Sequence, residues 1–300
     1  MNDEPLVSIL LLSMNHELFI ERCIKSLKHQ NYPNIEIIYL DNASSDNTLS
    51  VAKNALEQSH IPFQIFSNTE SKGISKNLNL LYQHSSGEFI LPLSTDDWLT
   101  PDSIEEKIIY FQQHPEFGMV YSSCYLFHYA NQHIEISPKK QKFKEGWVLE
   151  DLLKEYFIST TGYVIKRTTI ESVGVFDENS PLEDWDMCIR IAEKFPIGRL
   201  NKELAYYGIK SGVNVSGNYS YMLDGYDYIA KKYAHYEEIT ETKKLIALEK
   251  TYHYATYEPS FKTLFFILKN YRLNFFYFKQ TGKTILGMVQ KALQPGTPTL

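Results

Sequence analysis

Cysteine is scarce in this chain: three residues in 300, Cys23, Cys124 and Cys188, far apart and odd in number. They supply no disulfide framework and no metal-type spacing, which points to a reduced, cytosolic protein. Long apolar runs are lacking as well. Val7–Leu12 is short, follows the acids Asp3 and Glu4 rather than a basic region, and precedes no small-residue cleavage site. It reads as a first strand and not as a signal peptide. No internal repeat and no low-complexity linker divides the chain. Acids are absent after Glu258, where Lys262, Lys269, Arg272, Lys279, Lys283 and Lys291 stand alone. The whole chain carries −6 and this tail +6, so the body carries −12. An acidic body without a recognition module is not expected to bind nucleic acid.

What is present is ordinary globular composition, 43% hydrophobic and 22% charged, enough for one large domain or one domain with an appendage. Over the first hundred residues strand and helix signals alternate. Val7–Leu12, "IEIIYLDN", "PFQIFSN" and "EFILPLS" read as strands. "HELFIERCIKSLKHQ", "SSDNTLSVAKNALEQS" and "SKNLNLLYQHSS" read as helices between them. Such alternation predicts an α/β fold with a mostly parallel sheet covered on both faces. Ligands then bind beyond the carboxyl ends of the strands. Asp41 ends the second strand, and the adjacent pair Asp96-Asp97 ends the fourth. Farther on, the pattern predicts a helix near Ser103–Gln113, short strands around Met119–Phe127 and Gly162–Lys166, a helix from about Asp184, and helical chain over 217–258.

Adjacent carboxylates repel each other, so "STDD" asks for a cation. Hard divalent ions bind through one or two carboxylates together with substrate phosphates. The plainer alternative is a helix cap or a solvated turn. Four motifs decide between them by order and spacing: "VSILLLSMNHELFIERCIKSLKHQNYPNIEIIYLDNASSDNT", "GISKNLN", "TDDWLTPD" and "FDENSPLEDWDMCIRIA". Over roughly residues 5–216 the chain resembles the inverting, nucleotide-sugar-dependent glycosyltransferases of family 2, which have the GT-A fold. The resemblance implies a catalytic domain over 1–216, with a nucleotide-binding half (1–97) and an acceptor half (98–216). A helical region follows over 217–300.

The resemblance also implies roles. Asp41 would accept a hydrogen bond from the N3–H of uracil or thymine, since a carboxylate is acceptor-only. Lys76 and Asn77 would lie near the base, ribose or phosphates; Lys76 is equally readable as a solvated helix charge. Asp96 would hold the ribose hydroxyls. Asp97 would hold Mn2+ or Mg2+ on the diphosphate, where the ion acts as a Lewis acid. Asp184 would be the general base that takes the acceptor's proton. Glu183 would assist it, and Trp185 would offer a sugar-facing plane. Asp46 reads instead as a helix N-cap, and Asp186 with Arg190 as a helical ion pair. Two departures from the family pattern stand out. Ser94 occupies a position that is often acidic, and "YYGIKSGVNVS" lacks the usual metal-site His. Lys210 falls near that place and could hold a diphosphate directly.

These roles describe a hexosyl transfer from a UDP- or dTDP-sugar to a glycan or lipid-linked glycan. The rivals are a non-catalytic nucleotide- or glycan-binding scaffold and a sugar-phosphate nucleotidyltransferase. The last needs a Gly-rich loop after the first strand, and "SMNHELF" has no Gly. The tail "FKTLFFILKNYRLNFFYFKQTGKTILGMVQKAL" leaves two readings open. It is either a basic amphipathic segment on an anionic membrane surface, making the protein peripheral at the inner face, or a helix pair packed on the domain or a dimer partner.

Overall fold

The computed structural model describes residues 4–137, 143–209, 218–244 and 246–247. Lys210 and the basic tail, which carried two of the expectations above, lie outside them. The chain divides into two compact units, Met1–Met222 and Leu223–Leu300, and the division falls within the helix Tyr219–Lys232.

The first unit begins as the alternation predicts: β1 (Val7–Ser13), α1 (Ile20–Lys28), β2 (Ile35–Asp41), α2 (Thr48–Glu57), β3 (Phe63–Ser67), α3 (Ile74–His84) and β4 (Phe89–Ser94). There follow β5 (Trp98–Leu99), α4 (Ser103–Gln113), β6 (Met119–His128), β7 (His133–Ile136), α5 (Leu149–Lys154), β8 (Val164–Lys166), α6 (Arg167–Val173), α7 (Glu183–Ala192), β9 (Ile197–Ile209) and α8 (Tyr219–Lys232). Among the described residues the strands form one sheet in the order β3-β2-β1-β4-β8-β6-β9-β5, with β7 beside β6. Strands β1, β2, β3, β4, β6 and β9 run one way, and β5, β7 and β8 run against them.

Alternation along the strands builds two faces. Val7, Ile9 and Leu11 of β1, Ile35, Ile37 and Tyr39 of β2, and Phe89, Leu91 and Leu93 of β4 meet α1, α2 and α4 in one core. Ile24 and Leu27 of α1, Ala52 and Leu56 of α2, and Ile104, Ile108 and Phe111 of α4 supply the helical side. Leu10, Ile38 and Ile90 are buried on the opposite face, where α3 packs. Register then sets the site. Ser13 pairs with Asp41 and Leu12 with Ser94, so β1, β2 and β4 end level with one another. Asp41 and the Asp96-Asp97 pair are thereby brought to one rim.

Elements β5, β7, α5, α6 and β9 had no counterpart in the sequence pattern. β9 is the longest strand described, yet its middle carries Arg199, Asn201, Lys202 and Glu203. Its pairing with β6 also shifts register on either side of Ser123. A bulge of that kind breaks the period of two by which strands are recognised. Among the described residues no helix is long and apolar enough to cross a membrane.

Lys107 on α4 is 0% exposed. Its Nζ donates to the carbonyl and the hydroxyl of Ser103, at 3.0 and 2.7 Å, and burial lowers its pKa to about 7. The unfolded chain therefore takes up a proton that the folded one gives away, and stability rises with pH from about 7 towards the ordinary lysine range. Urea denaturation of Lys107→Met should show that rise abolished and the fold strengthened at pH 7 by on the order of 1 kcal/mol.

Candidate active site

The rim is assembled from strand ends and the turns that follow them. After β2 the chain passes through Ala43 in the left-handed region, φ 58°, a conformation that costs a non-glycine residue about 1–2 kcal/mol. That turn sends Ser44 back onto the carboxylate before it. Asp41 Oδ2 accepts the Ser44 N–H at 3.0 Å, and Oδ1 accepts the Ser44 hydroxyl at 2.6 Å and the Ser13 hydroxyl at 3.4 Å. The orientation of Asp41 is thus fixed locally.

Next to it, three amides tie down the loop before α3. Asn42 Oδ1 accepts the backbone N–H of Lys72 at 2.9 Å and the Asn68 amide at 2.9 Å, and Asn68 also donates to Asn77 Oδ1 at 2.8 Å. The structure thus places the expected donor-binding residue Asn77 inside this network, buried. Lys76 is exposed on the first turn of α3.

Asp96 and Asp97 are both buried but have different partners. The Ser94 hydroxyl donates to Asp96 Oδ1. His16, in the loop after β1, has Nδ1 2.7 Å from the Thr95 hydroxyl and 4.0 Å from Asp96 Oδ1. Tyr129 donates its hydroxyl to the Asp96 carbonyl at 3.0 Å. Asp97 instead accepts the Thr161 hydroxyl on Oδ2 at 2.9 Å and the Gly208 N–H on Oδ1 at 2.8 Å. Gly208 has to be glycine here, because a Cβ would fall on the Asp96 carbonyl oxygen. Sequence reasoning missed His16, Tyr129, Thr161 and Gly208. Only His16 carried a local signal, as an imidazole directly after a strand end.

Glu183 and Asp184 open α7, with Asp184 Oδ1 accepting the Trp185 N–H at 2.7 Å. Desolvation and the neighbouring Asp184 charge push the Glu183 carboxyl up to about 8. This happens although a helix N-terminus favours carboxylate by about 0.3–1 kcal/mol, so burial outweighs the dipole. Trp185 is a correction. It is 3% exposed, stacks on Tyr156 at 5.4 Å and donates Nε1–H to the Leu152 carbonyl at 2.8 Å. Its ring anchors α7 to α5 and offers no plane to a sugar. The Asp186–Arg190 pair forms at 2.8 Å, with Asp186 fully buried. Asp46 accepts the N–H groups of Thr48 and Glu17, but the N-cap of α2 is Asn47, with no side-chain capping bond.

The described residues contain no group of three or more His, Cys, Asp or Glu able to enclose a metal. The oxygens gathered at Asp96 and Asp97 are nevertheless the hard donors that Mg2+ or Mn2+ takes, in the number used when phosphates and water complete the shell.

The model of the family described as "Glycosyl transferase family 2" matches residues 8–171. Chondroitin synthase of Escherichia coli is 25% identical over 215 residues, 71% of this chain and 30% of that protein. The GalNAc(5)-diNAcBac-PP-undecaprenol beta-1,3-glucosyltransferase of Campylobacter jejuni is 27% identical over 169 residues, 56% of this chain and 54% of that protein. The chain therefore spans about half or less of these relatives. Among solved structures, TarS 1–349 of S. aureus with UDP-GlcNAc superposes with a TM-score of 0.61 at 16% identity, covering 83% of this chain and 73% of that one. The Pyrobaculum calidifontis mannosyltransferase PcManGT with GDP-Man and Mn2+ gives 0.60 at 16% identity, covering 96% and 85%. The shared fold is the GT-A arrangement of a mostly parallel sheet flanked by helices.

A carboxyl raised on folding contributes stability that is complete at low pH and is lost as pH climbs towards its raised value. Thermal denaturation between pH 5 and 9 should therefore show Glu183→Gln removing the fall in stability that the unaltered chain shows up to about pH 8. At pH 8 the variant should gain more than about 1 kcal/mol over the unaltered chain.

Proposed function

The chain belongs to glycosyltransferase family 2, and from that premise we propose that it moves one sugar from a UDP- or dTDP-sugar to a hydroxyl of a glycan or lipid-linked glycan, with inversion at the anomeric carbon. The observation that supports this most is the common rim of Asp41, Asp96 and Asp97, set by the level ends of β1, β2 and β4. Asp41 is held so that Oδ2, with one described donor, retains acceptor capacity for a pyrimidine N3–H. Asp96 faces the ribose hydroxyls. Asp97 would hold a divalent ion, which when bound supplies positive charge against the departing diphosphate.

Asp184 takes the proton of the acceptor hydroxyl as that oxygen attacks opposite the leaving group. Its place at the start of α7 suits a carboxylate that must stay charged until then. Lys210 would assist the diphosphate. A lipid-linked acceptor would suit a basic tail at an anionic membrane surface.

With one or two protein carboxylates to hold it, the cation should bind firmly only beside a diphosphate. A thermal-shift panel of UDP, dTDP, GDP and CDP, each with and without Mn2+, tests this. UDP or dTDP with Mn2+ at a hundred times its dissociation constant should add about 2.7 kcal/mol, and neither alone should approach that. No shift with any of the four would remove the donor assignment. Separately, Asp184→Asn should lower transfer by roughly 10²–10⁴-fold while leaving the UDP shift in place; undiminished transfer would sink the base assignment.

A further inference from the structure

Asp97 receives its hydrogen bonds from parts of the chain far away in sequence. Thr161 precedes β8 by three residues and Gly208 stands near the end of β9, yet each donates to a different oxygen of the one carboxylate, at 2.9 and 2.8 Å. Bonds to both oxygens constrain the plane of a carboxylate as well as its position. The donors are themselves immobilised. Thr161 is 5% exposed, as is Asp97. The next residue, Gly162, has φ +74°, and a Cβ there would stand 2.7 Å from Leu99 Cδ2 and 4.0 Å from the Ser103 hydroxyl. That same hydroxyl accepts from the buried Lys107. Gly162, which follows Thr161, and Gly208 thus leave no room for a side chain, against Leu99 and against the Asp96 carbonyl oxygen respectively.

We propose that Thr161 is the positioning residue of Asp97, and that its hydroxyl sets the affinity of this rim for a divalent cation in the presence of a nucleoside diphosphate. This rests on the reading of Asp97 as the cation's ligand. Thr161 is buried, and valine replaces its side chain nearly isosterically while removing the donor. The carboxylate then keeps its Gly208 bond but loses the one that Thr161 makes to Oδ2. Outer partners of ligating carboxylates typically govern metal affinity by about 10–100-fold.

The test is titration of Mn2+ into the full-length protein with saturating UDP, reading free Mn2+ by electron paramagnetic resonance. Thr161→Val should weaken Mn2+ binding at least about tenfold. Thr161→Ser should restore it, and UDP binding without metal should stay unchanged in both. Wild-type Mn2+ affinity in Thr161→Val, beside loss of binding in Asp97→Asn, would overturn the proposal while leaving the metal reading intact. Equal weakening in the valine and serine variants would also overturn it, since packing rather than the hydroxyl would then matter. Full Mn2+ uptake by Asp97→Asn, or none by the unaltered protein, would remove the metal reading and the proposal with it. Should Thr161→Val not fold, Thr161→Ala against Thr161→Ser is judged by the same outcomes.

Discussion

Two unit charges about 4 Å apart repel by about 1 kcal/mol in water and by about 4 kcal/mol near a protein surface, and Asp96 and Asp97 are adjacent and buried. The rest of the rim is arranged around that repulsion. The pair is divided between two sets of partners: Asp96 turns to Ser94 and stands near His16, while Asp97 turns to Thr161 and Gly208. Strand directions explain why those residues are available. β4 lies between β1 and β8. β1 runs parallel to it, so the loop after β1 delivers His16 to the rim. β8 runs antiparallel, so the segment leading into β8 delivers Thr161 to the same place. β9 runs the same way as β4 by way of β8 and β6, and its far end brings Gly208.

The same economy of short turns appears one strand away. Ala43 accepts a left-handed backbone, and the return is that Ser44 closes on Asp41 through both its N–H and its hydroxyl. Strain of that kind persists only where the surroundings over-determine it, and here the Asn42–Asn68–Asn77 amides do so. Asn77 stands within that network, accepting from Asn68 and donating to the Lys72 carbonyl. A residue type chosen for contact with a ligand and one chosen to hold a loop look alike in sequence; only the partners of the amide tell them apart.

What could be read in advance divides along the same line. The first four strands announce themselves through apolar alternation and the turn residues between them, so Asp41 and the Asp96-Asp97 pair could be assigned to strand ends and hence to one rim. Those inferences needed only local pattern and the direction of crossover connections. Thr161 and Gly208 are ordinary residues made important by partners 64 and 111 positions away, and no window of sequence contains that information. β9 escaped for a related reason: its register against β6 shifts around Ser123, and charged residues fill the interval. Trp185 went astray because an aromatic at a helix start suits a cleft wall and a core anchor equally. The Leu152 carbonyl that settles it lies 33 residues upstream.

At α7 two neighbouring acids again face one another, and here the solution is protonation rather than separation. Burial and the charge of Asp184 raise Glu183. A group so shifted holds its proton near neutrality. Carboxylates whose environments push their proton affinities apart are the ones to which separate acid and base roles can be given. A neutral Glu183 can donate a hydrogen bond, while a charged Asp184 can accept a proton from an attacking hydroxyl. The base role proposed for Asp184 comes from the family resemblance, and a protonated Glu183 suits the supporting role proposed beside it. The buried Trp185 locks the start of α7, where both acids stand, against α5.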